Sequence, residues 1–141
     1  MNFLLDENFP PAGWKVFSQF FHGHGHEFGR VGVQIDRGFK DIELFNIAHE
    51  QGYNAIITSD INQIHRPQER EACKKAQLHW IGIPRNHRLR GRSILHNQIA
   101  QVLGSLDMVI KHVEDNPRPT AFLFQKPSHD FNIQKDYPQP L

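Results

Sequence analysis

The chain of 141 residues has the length of one domain, and with 38% hydrophobic and 22% charged residues it is polar for a globular protein. Sixteen Lys and Arg nearly balance fifteen Asp and Glu, for a formal charge of +1. This excludes a polycationic nucleic-acid coat and an acidic chaperone, and leaves electrostatic recognition to local clusters. A single cysteine, Cys73, excludes an internal disulfide and a Cys-rich zinc site and fits a reducing compartment.

Phe3-Leu4-Leu5 is a short apolar run that ends on Asp6-Glu7-Asn8 and Pro10-Pro11, the pattern of a buried strand followed by a turn and a helix start. Trp14, Phe17, Phe20 and Phe21 recur at helical spacing and are assigned to core packing; Gly23 and Gly25 then interrupt before a second strand at His26-Glu27-Phe28. Residues 40–51 read as a helix with Leu44, Ile47 and Ala48 on one face and Gly52 as its stop. Asn54-Ala55-Ile56-Ile57-Thr58 reads as a buried strand closed by Ser59-Asp60, and residues 67–76 as the next helix. Cys73 is expected to pack there rather than react. His79-Trp80-Ile81-Gly82-Ile83 supplies a fourth strand stopped by Pro84. This alternation of strand and helix is the rhythm that builds a parallel sheet.

Over residues 93–113, Leu95, Ile99, Val102, Leu106, Val109 and Val113 recur in steps of four and three, one continuous apolar stripe. Three heptads permit a coiled coil; the plainer reading is a helix that lies on a sheet, or on a second copy of the chain in a homodimer. Asn116-Pro117-Arg118-Pro119 breaks it, and Thr120-Ala121-Phe122-Leu123-Phe124 forms a last strand. The expected division is a domain over residues 1–125 and a polar, Pro-containing tail over 126–141. The start lacks the basic residues and long apolar stretch of a secretory signal, and no apolar run approaches the roughly 20 residues that cross a bilayer. A soluble, cytoplasmic protein with no membrane partner is expected.

In open parallel sheets, ligands collect outside the carboxyl ends of the strands, where both Asp6 and Asp60 fall. Carboxylates forced together repel, and a divalent cation relieves them; hard oxygen ligands favour Mg2+ or Mn2+. A lone acid after a strand is more commonly a cap or a turn former, so the combination carries the signal. NFLLDENFPP over residues 2–11 resembles the opening of the PIN-like family, a hydrophobic strand running into Asp-Glu-Asn and a proline. Gly25-His26-Glu27-Phe28 resembles that family's second strand, Asp41-Ile42-Glu43-Leu44 with Ala48 its central helix, and Ile56-Ile57-Thr58-Ser59-Asp60 its strand ending in Thr-x-Asp.

The resemblance implies an α/β domain, a three-layer α/β/α sandwich with a mostly parallel sheet in strand order 3-2-1-4-5. It further implies a metal-dependent endoribonuclease of the VapC type, the toxin of a type II toxin–antitoxin pair, with RNA as substrate and a cognate antitoxin as partner. Carried over by position, Asp6, Glu43 and Asp60 would bind Mg2+ or Mn2+ and serve catalysis, supported by Glu7, Asp41, Thr58 and Asn62. Asn62 stands where the family often has an acid or an amide, which leaves Glu69 to supply a fourth carboxylate. The implied reaction is phosphodiester hydrolysis without a covalent enzyme intermediate.

Arg85, Arg88, Arg90 and Arg92 crowd a loop with His87 and no acid, suited to RNA phosphates, though a solvated loop or a socket for an antitoxin's carboxylates reads equally well. His65 and Arg66 lie near Asp60 and join that surface, while Arg66-Pro67 also has the form of an ordinary helix start. His22, His24 and His26 alternate rather than taking helical spacing, and would share one face only in an extended chain. Two rivals keep some of these features. A receiver-like phospho-acceptor domain would use Asp60 and the Lys126-Pro127 pair, but lacks a Ser or Thr at the end of the fourth strand. A catalytically weak PIN-like scaffold would bind RNA or protein alone.

Overall fold

A computed structural model describes residues 1–125. The elements are β1 (Asn2–Leu5), α1 (Pro11–Phe20), β2 (Glu27–Arg30), α2 (Asp41–Glu50), β3 (Ala55–Thr58), α3 (Pro67–Lys75), β4 (His79–Gly82), α4 (Arg92–Asp115) and β5 (Ala121–Leu123), with a 3-10 turn at Gln63–His65. Helix α1 begins at Pro11, earlier than the aromatic spacing indicates, because a proline at the first helical position sacrifices no hydrogen bond. The tail expected over 126–141 lies outside the described residues.

All strand pairings are parallel, in the order β2-β1-β3-β4-β5. The fold class is the expected α/β one; the order 3-2-1-4-5 is not what the chain adopts. That order would put β3 at the edge, yet Ala55, Ile56, Ile57 and Thr58 are all buried, as are Phe3, Leu4 and Leu5 of β1. Strands covered on both faces belong in the middle of a parallel sheet. The edges go to β2, which opens on an exposed Glu27, and to the short, half-exposed β5.

Alternation along the strands sends side chains to two helical layers. Phe3, Leu5, Ala55, Ile57 and Ile81 meet Phe17 of α1 and Val102, Leu106 and Val109 of α4. Leu4, Ile56 and Trp80 meet Leu44, Phe45 and Ala48 of α2 and Cys73 of α3. The abundant phenylalanine is spent largely on the first layer. Phe28 stacks on Phe3 at 5.0 Å and lies 5.7 Å from Phe17 and 5.4 Å from Phe21, so rings from β1, β2 and α1 close one corner of the core. Helix α4 lies on the sheet, its apolar stripe turned inward except at the first turns, where Asn97, Gln98 and Gln101 are buried instead.

Because the strands are parallel and β1 to β4 are each followed by a returning helix, the carboxyl ends of the strands and the amino ends of those helices share one side of the domain. The chain leaves β1 toward β2 and leaves β3 toward β4, in opposite directions along the sheet. A crevice therefore opens between the ends of β1 and β3.

Candidate active site between the first and third strands

Leu5 of β1 pairs with Ile57 of β3, and the Asp6 amide continues the ladder by donating to the Ile57 carbonyl at 2.9 Å. The Asp6 side chain is only 2% exposed. Its Oδ2 accepts from the Thr58 hydroxyl at 2.8 Å and from Asn8 Nδ2 at 3.2 Å, and its Oδ1 from the Glu7 amide at 2.7 Å. Burial pushes the carboxyl above its ordinary 3.8, the three hydrogen bonds pull it back, and the charge of Asp41 adds to the rise. The fully buried Thr58 hydroxyl also accepts from the Asp60 amide at 3.0 Å. One hydroxyl thus joins the first acid to the backbone of the second.

Asp60 is held by its own loop. Its Oδ1 accepts from the Asn62 amide at 3.1 Å and its Oδ2 from the Arg66 guanidinium at 3.3 Å. That guanidinium also meets both oxygens of Glu69 at 3.0 and 3.1 Å and stands 3.6 Å from Asp41. Asp41 and Glu69 arrive here because each sits in the first turn of a helix, α2 and α3, whose amino end lies on the crevice side. Burial raises the Glu69 carboxyl, Arg66 lowers it, and Asp41 raises it again.

Of the three acids expected to gather, the structure brings Asp6 and Asp60 together through Thr58 and leaves Glu43 out. Glu43 is exposed and, among the described residues, makes no hydrogen bond or ion pair. Residues two positions apart on a helix lie about 200° apart around its axis, so with Asp41 turned to the crevice Glu43 is turned away. Asp41, expected only in support, and Glu69 stand where Glu43 was placed. Glu7 contributes its amide, its side chain being exposed, and Asn62 contributes an amide in the same way.

A pocket of about 340 Å³ opens beside Asp60, lined by Asn8, Ser59, Asp60, Ile61, Asn62, Arg85 and His87. Arg85 crosses it to donate to the Asn8 carbonyl at 3.2 Å. The buried Asn86 caps the next turn, its Oδ1 accepting from the Arg88 amide at 3.1 Å. Arg88, Arg90 and Arg92 are exposed farther along the loop, outside the pocket lining, and His65 is exposed beside Arg66.

Residues the sequence reading missed fix the walls. Gln98, 1% exposed, donates to Ser59 Oγ at 2.8 Å and to the Ile83 carbonyl at 3.3 Å, tying the loop after β3 to the end of β4. Gln101 donates to Asn97 Oδ1 at 2.7 Å behind it. Their signal was an Asn-Gln pair and a second Gln three residues on, spaced to fall inward, which the longer apolar stripe concealed. On the opposite layer, Trp80 Nε1 donates to Gln63 Oε1 at 2.8 Å and anchors the turn between Asp60 and Arg66.

The donors suit a hard divalent cation in kind, being carboxylates without thiolate or imidazole. In arrangement, no three His, Cys, Asp or Glu side chains among the described residues converge to hold a metal, and Arg66 already lies among three of the acids. The histidine run forms no such group either: His26 meets the Met1 amine at 3.1 Å, while His22 and His24 are exposed.

The sequence profile of the PIN like domain matches residues 1–85, more than half of the chain and the part that contributes Asp6, Asp41, Asp60 and Glu69. The chain belongs to the PIN-like domain family. No curated protein and no solved structure matches it. A PIN-like domain is a nuclease-type fold, and such domains generally work with divalent metal ions. The receiver-like alternative is not the family found, and its hydroxyl is missing: β4 runs into Ile83 and Pro84. No helix among the described residues is long and apolar enough to cross a membrane.

Proposed function

We propose that this PIN-like domain is a metal-dependent endoribonuclease that hydrolyses phosphodiester bonds at the crevice between β1 and β3. The observation that carries the reading is the buried Asp6 joined through Thr58 to Asp60, at the rim of a pocket that Arg85 and His87 also line. Burying a carboxyl group costs stability that its hydrogen bonds offset, and carboxyl groups perturbed in this way cluster at functional sites.

Asp6 and Asp60 would hold Mg2+ or Mn2+, with Asp41 and Glu69 alongside. Such an ion, when bound, offsets negative charge at the phosphate and lowers the pKa of water. The chain's own residues do the rest. Arg85 and His87 bind phosphate oxygens through charge-assisted hydrogen bonds, and Thr58 orients the Asp6 carboxylate. Gln98 ties Ser59 to the end of β4 and so braces the wall of the pocket. The exposed Arg88, Arg90 and Arg92 extend the basic track along the RNA backbone.

Purified protein is expected to cleave RNA only with Mg2+ or Mn2+. Asp6→Asn or Asp60→Asn should abolish cleavage while the fold survives, and joint replacement of Arg85 and His87 by Ala should raise KM for RNA more than it lowers kcat. Cleavage by Asp6→Asn and Asp60→Asn at the rate of the parent would remove the site assignment. As the toxin of a type II pair the domain would be paired with an antitoxin, a partner that co-expression with the neighbouring reading frame would reveal by loss of cleavage. A scaffold that binds RNA without cutting it has one observation in its favour, the guanidinium seated among the acids.

A further inference from the structure

Arg66 is the cap residue of α3, with φ −83° and ψ 117°, and its backbone is pinned by its amide donating to the Gln63 carbonyl at 3.2 Å and by Pro67 after it. The side chain is 49% exposed. Turning it into solvent would give up its ion pairs and leave the backbone bond of the cap in place. In its present position it meets Asp60 at 3.3 Å, Glu69 at 3.0 Å and Asp41 at 3.6 Å. The planar fork of a guanidinium reaches several carboxylates at once, which an ammonium does not. Three carboxylates and one guanidinium leave the group with two negative charges, before Asp6 is counted.

We propose that Arg66 is an internal cation that occupies the acid cluster in place of a divalent ion, so that metal enters only as the guanidinium withdraws. The inference rests on the reading of these acids as a metal site and adds what sets its affinity. It reconciles a nuclease-type fold and hard oxygen donors with the absence, among the described residues, of three converging ligands. Arg66 spaces Asp41, Asp60 and Glu69 around itself, and the same acids draw inward around an ion once it leaves. A negatively charged RNA phosphate beside the crevice offers the freed guanidinium a second partner, so substrate and metal would favour the same rearrangement.

The test is Mn2+ binding to the full chain without RNA, read by calorimetry and by loss of the free-ion electron paramagnetic resonance signal. The parent, Arg66→Gln, Arg66→Lys and the double variant Arg66→Gln/Asp60→Asn are compared. Giving up three exposed ion pairs predicts that Arg66→Gln binds Mn2+ about tenfold more tightly than the parent. Arg66→Lys should fall between them, because one ammonium cannot hold three acids, and the double variant should lose the gain. Equal affinity of the parent, Arg66→Gln and Arg66→Lys would overturn the role of Arg66 and leave the nuclease reading standing. Absence of binding in every protein would overturn both. Arg66→Lys keeps the positive charge, so it serves if Arg66→Gln does not fold.

Discussion

Thr58→Val isolates the hydroxyl on which the candidate site is built. Valine has the shape of threonine, so the buried position stays filled and only the polar links go. One lost link is a hydrogen bond to a carboxylate, Thr58 to Asp6 at 2.8 Å; the other strands the Asp60 amide, which bonds the same oxygen at 3.0 Å in a partly buried setting. A bond to a charged group contributes about 1.5–3 kcal/mol, and an amide left without a partner costs about 1 kcal/mol at the low end of the buried range. The expected loss at pH 7 is therefore about 2–4 kcal/mol, on the order of a 10 °C fall in Tm for a domain of this size. Urea unfolding at pH 7 and again near pH 4 measures it. The loss should shrink at the lower pH, because protonated Asp6 no longer needs the donor. Thr58→Ser keeps the hydroxyl and sheds one methyl group, at a cost of about 1 kcal/mol. Should Thr58→Val prove as stable as the parent while Thr58→Ser is the weaker variant, Thr58 is a packing residue and the bridge between the acids is not what holds them.

The raised Asp6 carboxyl makes a second prediction about pH. A folded state whose carboxyl pKa exceeds the unfolded value holds its proton longer than the unfolded chain. Its contribution to stability is complete below the ordinary 3.8 and is lost as pH rises through the raised folded value. Asp6→Asn cannot titrate, so its stability relative to the parent should improve from pH 4 to pH 7 in paired denaturation curves; a decline over that range contradicts the burial argument. Cys73 is buried, its thiol pushed up by burial from 9.0 to about 12. The thiolate is the reactive form, so a disulfide reagent at pH 8 should label the folded protein about a thousandfold more slowly than the unfolded chain. Rapid labelling of folded protein would refute the packed assignment.

Much of the fold was legible because it depends on local patterns. Short apolar runs closed by Asp, Pro or Gly marked β1, β3 and β4, and the spacing of Leu44 and Ala48 marked α2. The placement of Asp6 and Asp60 past two strand ends was readable for the same reason. Which acid of α2 faces the crevice was not. Asp41 and Glu43 are two residues apart on one helix, both suited to a first helical turn, and their spacing alone cannot say which of two opposite faces meets the sheet. Arg66 had the form of a helix start and a phosphate contact; that it reaches three acids depends on α2 and α3 lying side by side. Gln98 stood inside an apolar stripe and gave way in the reading to its hydrophobic neighbours.

The amino-acid sequence by itself determined the alternation of strand and helix, the family, and which acids follow a strand, since periodicity and a strand's end are properties of neighbouring residues. The tertiary structure alone decided the strand order, the exposed position of Glu43, and the assembly of Asp41, Asp60 and Glu69 around Arg66. Those depend on which strands lose both faces to helices, and on how a helix is rotated when it docks. Both are settled by burial across the whole domain rather than by any segment of it.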